Sequence, residues 1–399
     1  MDWDDAGTKE RLRLLKGALL APLRAWRDAG VEVARVGTRI TAASGVPARR
    51  QRWEIFNLIL RHGMKPSQYA GYGLYLPERR DVAHEFVQAF EYFRVVRWYN
   101  EQHVDSDAAR LIDKLKYEDW CIEHGLPTAP TLLEFRDGTL VASRLGDDLD
   151  PVSVARRLPD CDLFSKPTEG TGGHGVVKWR FIRRDGPRSW ESHDGRVWSA
   201  EDLLNELART SATLPGKYGR QANRIMLQRC MQNHRDLAPI TTTALCTVRV
   251  VTYRMPGEKA RTVAAAFRMA TGDAPADNFS SGGVAVAVDP DTGRLKRAVR
   301  VRDGLLESVE RHPDTGVLIE GFQLPLWREA VELAERGLDL AKRLPSIGWD
   351  IGLTDDGPVL IEANPASHPG IAQRSSGFPL GRTPLPTAID AHIRSLLRE

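Results

Sequence analysis

Cysteine is scarce in this chain. There are four in 399 residues, Cys121, Cys161, Cys230 and Cys246, and no two form a C-x-x-C pair. A zinc ribbon or dithiol redox motif therefore lacks its ligands, and a disulfide-stapled secreted framework lacks its staples. No apolar run approaches the roughly 20 residues that span a bilayer. The opening MDWDDAGTKERLRLLK is charged where a signal peptide is apolar, so a cytoplasmic protein is expected. An excess of one charge is missing too. The 56 Lys and Arg nearly balance 53 Asp and Glu, to a net +3, which predicts no nucleic-acid groove. No G-x-S-x-G elbow and no H-E-x-x-H helix occurs, so serine-hydrolase and zinc-protease chemistry have no motif to rest on. There is no internal repeat and no low-complexity tract.

What is present changes in texture along the chain, which is long enough for two or three domains. Residues 1–105 read as a helical domain. Leu12, Leu14, Leu15, Leu19, Leu20, Leu23 and Trp26 recur near helical spacing among Lys and Arg. Such a basic amphipathic helix either packs on its own domain, the reading preferred here, or lies on an anionic membrane. Further helices are expected over Arg50–Arg61 and Val82–Tyr99, with Gly63, Pro66, Gly71, Gly73 and Pro77 punctuating the interval. SDAARLIDKLKYEDWCIEHG reads as one helix stopped at Gly125, with Pro127 just beyond. After it come short strand-like runs: TLLEF, DLFSKP, VVKWRF, RIMLQRC, TVRVVTYR, TVAAAFRMA, GVAVAVD and GPVLIEAN, broken by Gly, Asp and Pro turns. One long helix from about Pro325 to Arg343 interrupts them. Strand runs with few intervening helices imply an α+β protein built on antiparallel sheets.

Two motifs carry chemistry. Residues 170–175, GTGGHG, match G-x-G-x-x-G literally. A dinucleotide site needs a helix after the loop, whereas Val176, Val177, Trp179, Phe181 and Ile182 favour a strand. The loop is therefore read as a Gly-rich hairpin. Gly170, Gly172, Gly173 and Gly175 let backbone N–H groups approach an anion, and Lys166 upstream can meet a phosphate as a point charge. A mobile surface hairpin is the alternative. The second motif is a hairpin. Asp350 in IGWDIGL and Glu362 with Asn364 in VLIEANP flank the turn TDDGP. Pairing across that turn brings Asp350 to Glu362, and Glu362 and Asn364 share one strand face. Two carboxylates and an amide form an all-oxygen set suited to Mg²⁺. Placing the two acids together without a cation costs free energy. A surface pair of acids is the alternative, and the apolar flanks on both strands argue against it.

Together these segments resemble the ATP-grasp superfamily over roughly residues 106–375. Lys114, in LIDKLKYEDWCIEHGLPTAP, is similar to the first nucleotide-binding lysine of D-alanine–D-alanine ligases. Lys166, in FSKPTEGTGGHGVVKW, is similar to the second, which leads into a phosphate-covering loop that includes His174. RIMLQRCM resembles the adenine-binding hinge strand. Gln228 takes the usually acidic position there, Arg229, Cys230 and Met231 supply backbone contacts, and Asp236 is the nearest ribose candidate. Arg249, Arg268 and Asn278 follow the order seen in ribosomal-protein glutamate ligases, where they surround the phosphates and the acyl phosphate. Asp350, Glu362 and Asn364 match the superfamily's magnesium ligands. The helical start, with MKPSQYAGYGLYLPERR and WYNEQ, resembles the sugar-transfer-associated ATP-grasp family.

The resemblance implies an ATP-grasp fold in two α+β subdomains, 106–222 with the loop and 223–399 with the metal site, behind the helical domain. It implies ATP and Mg²⁺ as cofactors and small-molecule carboxylate and amine substrates joined through an acyl phosphate, in polysaccharide or secondary-metabolite biosynthesis. Lys114 and Lys166 would hold the α- and β-phosphates, Arg268 the transferring phosphoryl group, and Arg249 would orient a carboxylate. A kinase of the same fold, or a non-catalytic nucleotide-binding module, are the alternatives. His368 reads equally as a substrate contact or as a loop histidine without chemistry, and a homodimer is compatible with the sequence.

Overall fold

The computed structural model describes residues 8–103, 105–168, 175–182, 188–213, 223–241, 244–272, 274, 276–277, 279 and 282–398, with side chains from residue 20 onward. The calls on Gly170, Gly172, Gly173, His174 and Asn278 lie outside the described residues, as do the side chains of Leu12, Leu14, Leu15 and Leu19.

Five helices open the chain: α1 Thr8–Ser44, α2 Ala48–His62, α3 Pro66–Gly71, α4 Pro77–Arg80 and α5 Ala89–Glu101. The buried stripe of α1 is not the expected one. Leu23 and Trp26 are exposed, while Ala25, Ala29, Val36 and Ile40 are buried. Small residues on that stripe let α2 approach, and the buried Gln51 amide of α2 donates to the carbonyls of Gly37 and Val46. The helix expected over Val82–Tyr99 begins only at Ala89, after a single 3-10 turn at Ala83–Glu85. The break is held from the far end of the chain: the Val87 N–H donates to the Gln373 side chain, whose amide donates back to the Val87 carbonyl.

The helix expected over residues 106–125 is two, α6 Ala108–Ile112 and α7 Lys114–Glu123. Asp113 breaks it. Its backbone is extended and its carboxylate accepts from the N–H groups of Leu115 and Lys116, a capping geometry that a continuous helix would forfeit. Lys114 thereby becomes the first residue of a new helix.

The strands are β1 Thr131–Arg136, β2 Thr139–Ser143, β3 Leu163–Pro167, β4 Val177–Ile182, β5 Ser189–Ser192, β6 Val197–Ser199, β7 Arg224–Arg229, β8 Thr247–Tyr253, β9 Arg261–Met269, β10 Val284–Val288, β11 Leu295–Arg302, β12 Leu305–Val309, β13 Ser346–Thr354 and β14 Gly357–Asn364. They form two seven-stranded sheets, in the orders β2-β1-β7-β3-β4-β5-β6 and β12-β11-β10-β9-β8-β13-β14. Each described strand pair is antiparallel. β7 is an interior strand of the first sheet, between β1 and β3, so that sheet includes Arg224–Arg229.

Helices α8 Pro151–Arg157 and α9 Ala200–Thr213 cover the first sheet and bury Val154, Leu203, Leu204 and Leu207 against Leu133, Phe135, Trp179 and Trp190. The second sheet has one face under α7 and α10 Trp327–Leu340, where Trp120, Leu333 and Leu338 pack on Val250, Phe267 and Trp349. Its other face meets α11 Gly370–Ser376, and α12 Leu385–Leu396 closes the chain against α5. The N-terminal helices share a core with Leu305 of β12.

Strand alternation then decides the site. Val248 and Val250, Phe267 and Met269, Trp349 and Ile351 and Leu360 all enter the α10-side core. Their neighbours Arg249, Arg268 and Asp350 must face the other way, and so must Glu362, the neighbour of the core residue Ala363, because an irregularity in the β13–β14 pairing separates it from Leu360. Among the described residues no helix is long and apolar enough to cross a membrane.

Candidate active site

The expected hairpin forms. Thr354 pairs with Gly357 around Asp355-Asp356, and Asp350 stands directly opposite Glu362. A bulge between Asp350 and Ile351 shifts the register beyond that pair. Asn364 lies opposite Gly348, and its amide nitrogen donates to the Gly348 carbonyl at 3.2 Å. That leaves the amide oxygen as the atom the side chain can offer a cation. Gly348 itself tolerates no side chain, since a Cβ there would sit 2.1 Å from Ser367 Oγ and 3.3 Å from Arg249 Cδ.

Asp350 is buried and clamped. Arg249, its partner on β8, donates to both carboxylate oxygens, one bond being 2.9 Å. Arg268 Nη2 reaches Asp350 Oδ2 at 3.2 Å and Asp277 Oδ1 at 3.3 Å. Asp277 in turn accepts from the Thr247 N–H at 2.7 Å and hydroxyl at 2.6 Å. Burial opposes the ionisation of Asp350, but Arg249 and Arg268 outweigh it and hold the carboxyl below its usual range. Burial pushes the Asp277 carboxyl up, against the pull of Arg268. The bidentate contact foreseen between Arg249 and a substrate carboxylate is thus made with the protein's own Asp350.

The two lysines, 52 positions apart, meet these strands. Lys114 Nζ lies 3.7 Å from Glu362 Oε1, and its backbone N–H bonds the Thr168 carbonyl at 3.3 Å, tying α7 to the end of β3. Lys166 is buried at 8% exposure on β3. Burial lowers its pKa to about 8. Lys114 works in the same direction, and Glu362, Glu118 and Asp350 oppose it. The first sheet therefore delivers a desolvated ammonium group into the field of the second sheet's acids. Two buried hydroxyls in the same neighbourhood, Tyr117 and Thr168 Oγ1, have no hydrogen-bond partner among the described residues. Burial, then Cys121, Glu362 and Asp350, push the Tyr117 phenol well up. Unsatisfied buried polar atoms beside clustered cations suit an anionic ligand with many acceptor oxygens.

The residues also fit a hard cation. Among the described residues no cluster of three or more His, Cys, Asp or Glu forms a metal cage. Mg²⁺ needs no such cage when one or two carboxylates act with nucleotide phosphates. Glu362, with a third of its side chain exposed, and Asn364 are the accessible oxygen donors. Asp350 has both oxygens engaged by arginine, so it can join only by sharing one of them.

The hinge residues hold the first sheet together. Gln228 donates its amide to the Ala129 carbonyl at 2.8 Å, which a glutamate at that position could not do. The Cys230 N–H bonds the Asp162 carbonyl, so this one of the expected backbone donors is used internally. Arg229 ends β7 opposite Leu163, and Met231 follows it outside the strand. Asp236 is exposed at the start of a 3-10 turn, Arg235–Ile240, with His234 beside it. No contact joins it to the lysines or acids among the described residues. Gly175 is left-handed, with φ +74°.

The sequence reading missed Asp277, Tyr117 and Thr168. Asp277 directly precedes the singled-out Asn278, and adjacency was its available signal. The other two are visible only through burial.

A model of sugar-transfer-associated ATP-grasp proteins matches residues 94–379. The chain belongs to that family. Its fold is accordingly ATP-grasp, two α+β sheet layers with a helical N-terminal region. A search of curated proteins gives no match. Solved structures similar to this ATP-grasp chain include an L-amino acid ligase from Bacillus licheniformis, at 15% identity over 70% of this chain and 48% of the other, TM-score 0.36. A D-alanine–D-alanine ligase from Bacillus anthracis is 12% identical over 72% and 69% of the two chains, TM-score 0.36. A carboxyaminoimidazole ribonucleotide synthase from Aspergillus clavatus, solved with ATP, is 13% identical over 68% and 53%, TM-score 0.35. The chain spans about half the length of the first and last of these.

Proposed function

We propose that this ATP-grasp protein is an ATP-dependent carboxylate–amine ligase that works through an acyl phosphate and releases ADP and phosphate. The observation that carries the reading is the convergence of Lys114 and Lys166, from opposite ends of a 52-residue interval, on the Asp350–Glu362 pair. Four cationic side chains (Lys114, Lys166, Arg249, Arg268) face three acids there, which favours a polyphosphate.

A carboxylate does not react with an amine at neutral pH. Transfer of the γ-phosphoryl group gives it a good leaving group, and that transfer is catalysed by positioning and charge neutralisation. Lys114 and Lys166 would bind the α- and β-phosphates. Glu362, Asn364 and Asp350 would hold Mg²⁺, which would supply neutralisation of phosphate charge. Arg268, held at its charged head by Asp277 and Asp350, is fixed to stabilise the transferring phosphoryl group and then the oxyanion formed when the amine attacks. Arg249 positions Asp350. Residues 170–175 would cover the nucleotide, with Arg229, Cys230 and Met231 at the adenine edge, Asp236 toward the ribose and Asn278 near the acyl phosphate. Membership of a sugar-transfer-associated family supports a role in sugar chemistry, and our reading sets the enzyme in the cytoplasm, where ATP is supplied.

The test is an ADP-release screen over acids and amines with full-length protein. Release that requires both an acid and an amine supports the ligase; release with a hydroxyl acceptor alone identifies a kinase and overturns it.

A further inference from the structure

Beside the clamp of Arg249 on Asp350 lies a second group of cations that the phosphate chemistry does not use. Arg374 of α11 is largely buried. Its guanidinium carbon lies 5.2 Å from the Tyr72 ring centroid and 5.9 Å from that of Phe279, within cation–π reach of both. Its Nε is buried without a hydrogen-bond partner, and no carboxylate pairs with it among the described residues. The guanidinium lies over Gly71, where a Cβ would be in ordinary van der Waals contact at 3.4 Å from Nη2. His368 sits alongside. Its Nδ1 accepts from the Gly370 N–H at 2.9 Å, and Phe93 of α5 packs edge-on at 5.4 Å. With Nδ1 accepting, the neutral ring carries its proton on Nε2 and is a donor there. Burial, then Arg374, Arg249 and Lys65, push the His368 imidazole down to about 4. The ring is thus a neutral donor in the field of three cations. Lys65 caps α3, with its ammonium 5.1 Å from the Phe90 ring.

A desolvated arginine without an anion is costly, and native folds normally supply the missing partner. Here the helical N-terminal region supplies only more cation and aromatic surface, through Lys65, Tyr72 and Phe93. Among the described residues none supplies that partner, which leaves the place open to a bound anion. We propose that Arg374, Lys65 and His368 form the subsite that holds a carboxylate group of the acid substrate, and that the helical region thereby serves as a wall of the acceptor pocket. The subsite rests on the ligase reading for its place in catalysis, though its ability to bind carboxylates does not. Arg374 is the bidentate donor, His368 Nε2–H is a neutral donor, and exposed Lys65 guards the mouth.

The test uses the full chain and two readouts. In the first, unfolding temperature is followed with sodium glucuronate, glutamate and benzoate as probes and with inorganic phosphate as a comparison. Wild type is expected to be stabilised by at least one carboxylate. The shift should vanish in Arg374→Gln, return in part in Arg374→Lys, and shrink in Lys65→Ala, a surface change that keeps the proposal testable if Arg374→Gln does not fold. An equal carboxylate response in wild type and Lys65→Ala together with Arg374→Gln, no response in wild type, or a response to phosphate alone overturns the subsite. In the second, with an acid and amine identified, Arg374→Gln should raise KM for the acid about 10- to 100-fold while KM for ATP stays within twofold. Unchanged KM for the acid sinks the subsite. Carboxylate stabilisation without ADP release from any pair sinks the ligase reading and leaves the subsite standing.

Discussion

The two sheets hold their site charges in opposite ways. On the second sheet, Asp350, Arg249, Arg268 and Asp277 neutralise one another through reciprocal ion pairs, so that face is organised before any ligand arrives. On the first sheet, Lys166 is buried with its charge disfavoured, so that face is completed by what binds. The difference shows how a two-layer clasp can be rigid and still responsive to its ligand. One layer is locked by its own charges and the other is left electrostatically unfinished. Such preorganisation of one half lowers the reorganisation that remains when substrate binds.

The largest expected effect falls on the locked layer. Asp350→Ala leaves Arg249 buried without its partner and should cost about 3–5 kcal/mol of stability, read from denaturant midpoints. A loss below about 1 kcal/mol would mean the pairs do not lock that layer. Glu362→Ala removes the group between the layers. Turnover should fall about 100- to 1000-fold with little change in stability, and wild-type ADP release would refute its assignment to the metal.

The unfinished layer should answer to pH. Lys166 has a folded-state pKa of about 8, below the 10.5 of an exposed lysine. Below pH 8 it is charged in both folded and unfolded chains, and the cost of burying that charge is fully present. Between pH 8 and 10.5 the unfolded chain binds more protons, so unliganded stability from this group rises with pH. Nucleotide affinity moves the other way and should weaken by up to about tenfold per unit above pH 8, by calorimetry in buffers of different ionisation heat. A Lys166→Met variant should flatten both trends; identical profiles in wild type and variant would dissolve the contrast between the layers. The smallest effect is expected at the joint. Asp113→Ala removes the cap that starts α7 and should cost about 1 kcal/mol while weakening nucleotide binding through Lys114; a merged, equally stable helix would show that the break is not set by the cap.

Much of this was legible in order along the chain. Period-two alternation located β8, β9, β13 and β14, and the TDDGP turn fixed their last register, so Asp350 opposite Glu362 followed from local chemistry. The split between α6 and α7 did not, because Asp113 reads as an ordinary helical residue until Arg224 and the end of β3 pull Lys114 into place. Strands β5 and β6 are only four and three residues long, and β11, LKRAVRVR, is rich in arginine, both of which blunt the hydrophobic signal. Leu23 and Trp26 match helical spacing, yet Ala25 and Ala29 are the residues buried, since close helix approach selects small side chains that periodicity does not weigh.

The sequence alone determined which residues share a strand face and where the chain turns, because those depend on steric preferences within a few neighbours. Only the tertiary structure decided that Asp350 is claimed by two arginines, that Lys166 is desolvated, and that Arg374 has aromatic rings where a carboxylate would ordinarily stand. Each of those is a matter of burial and through-space charge, and both are set by segments hundreds of residues apart.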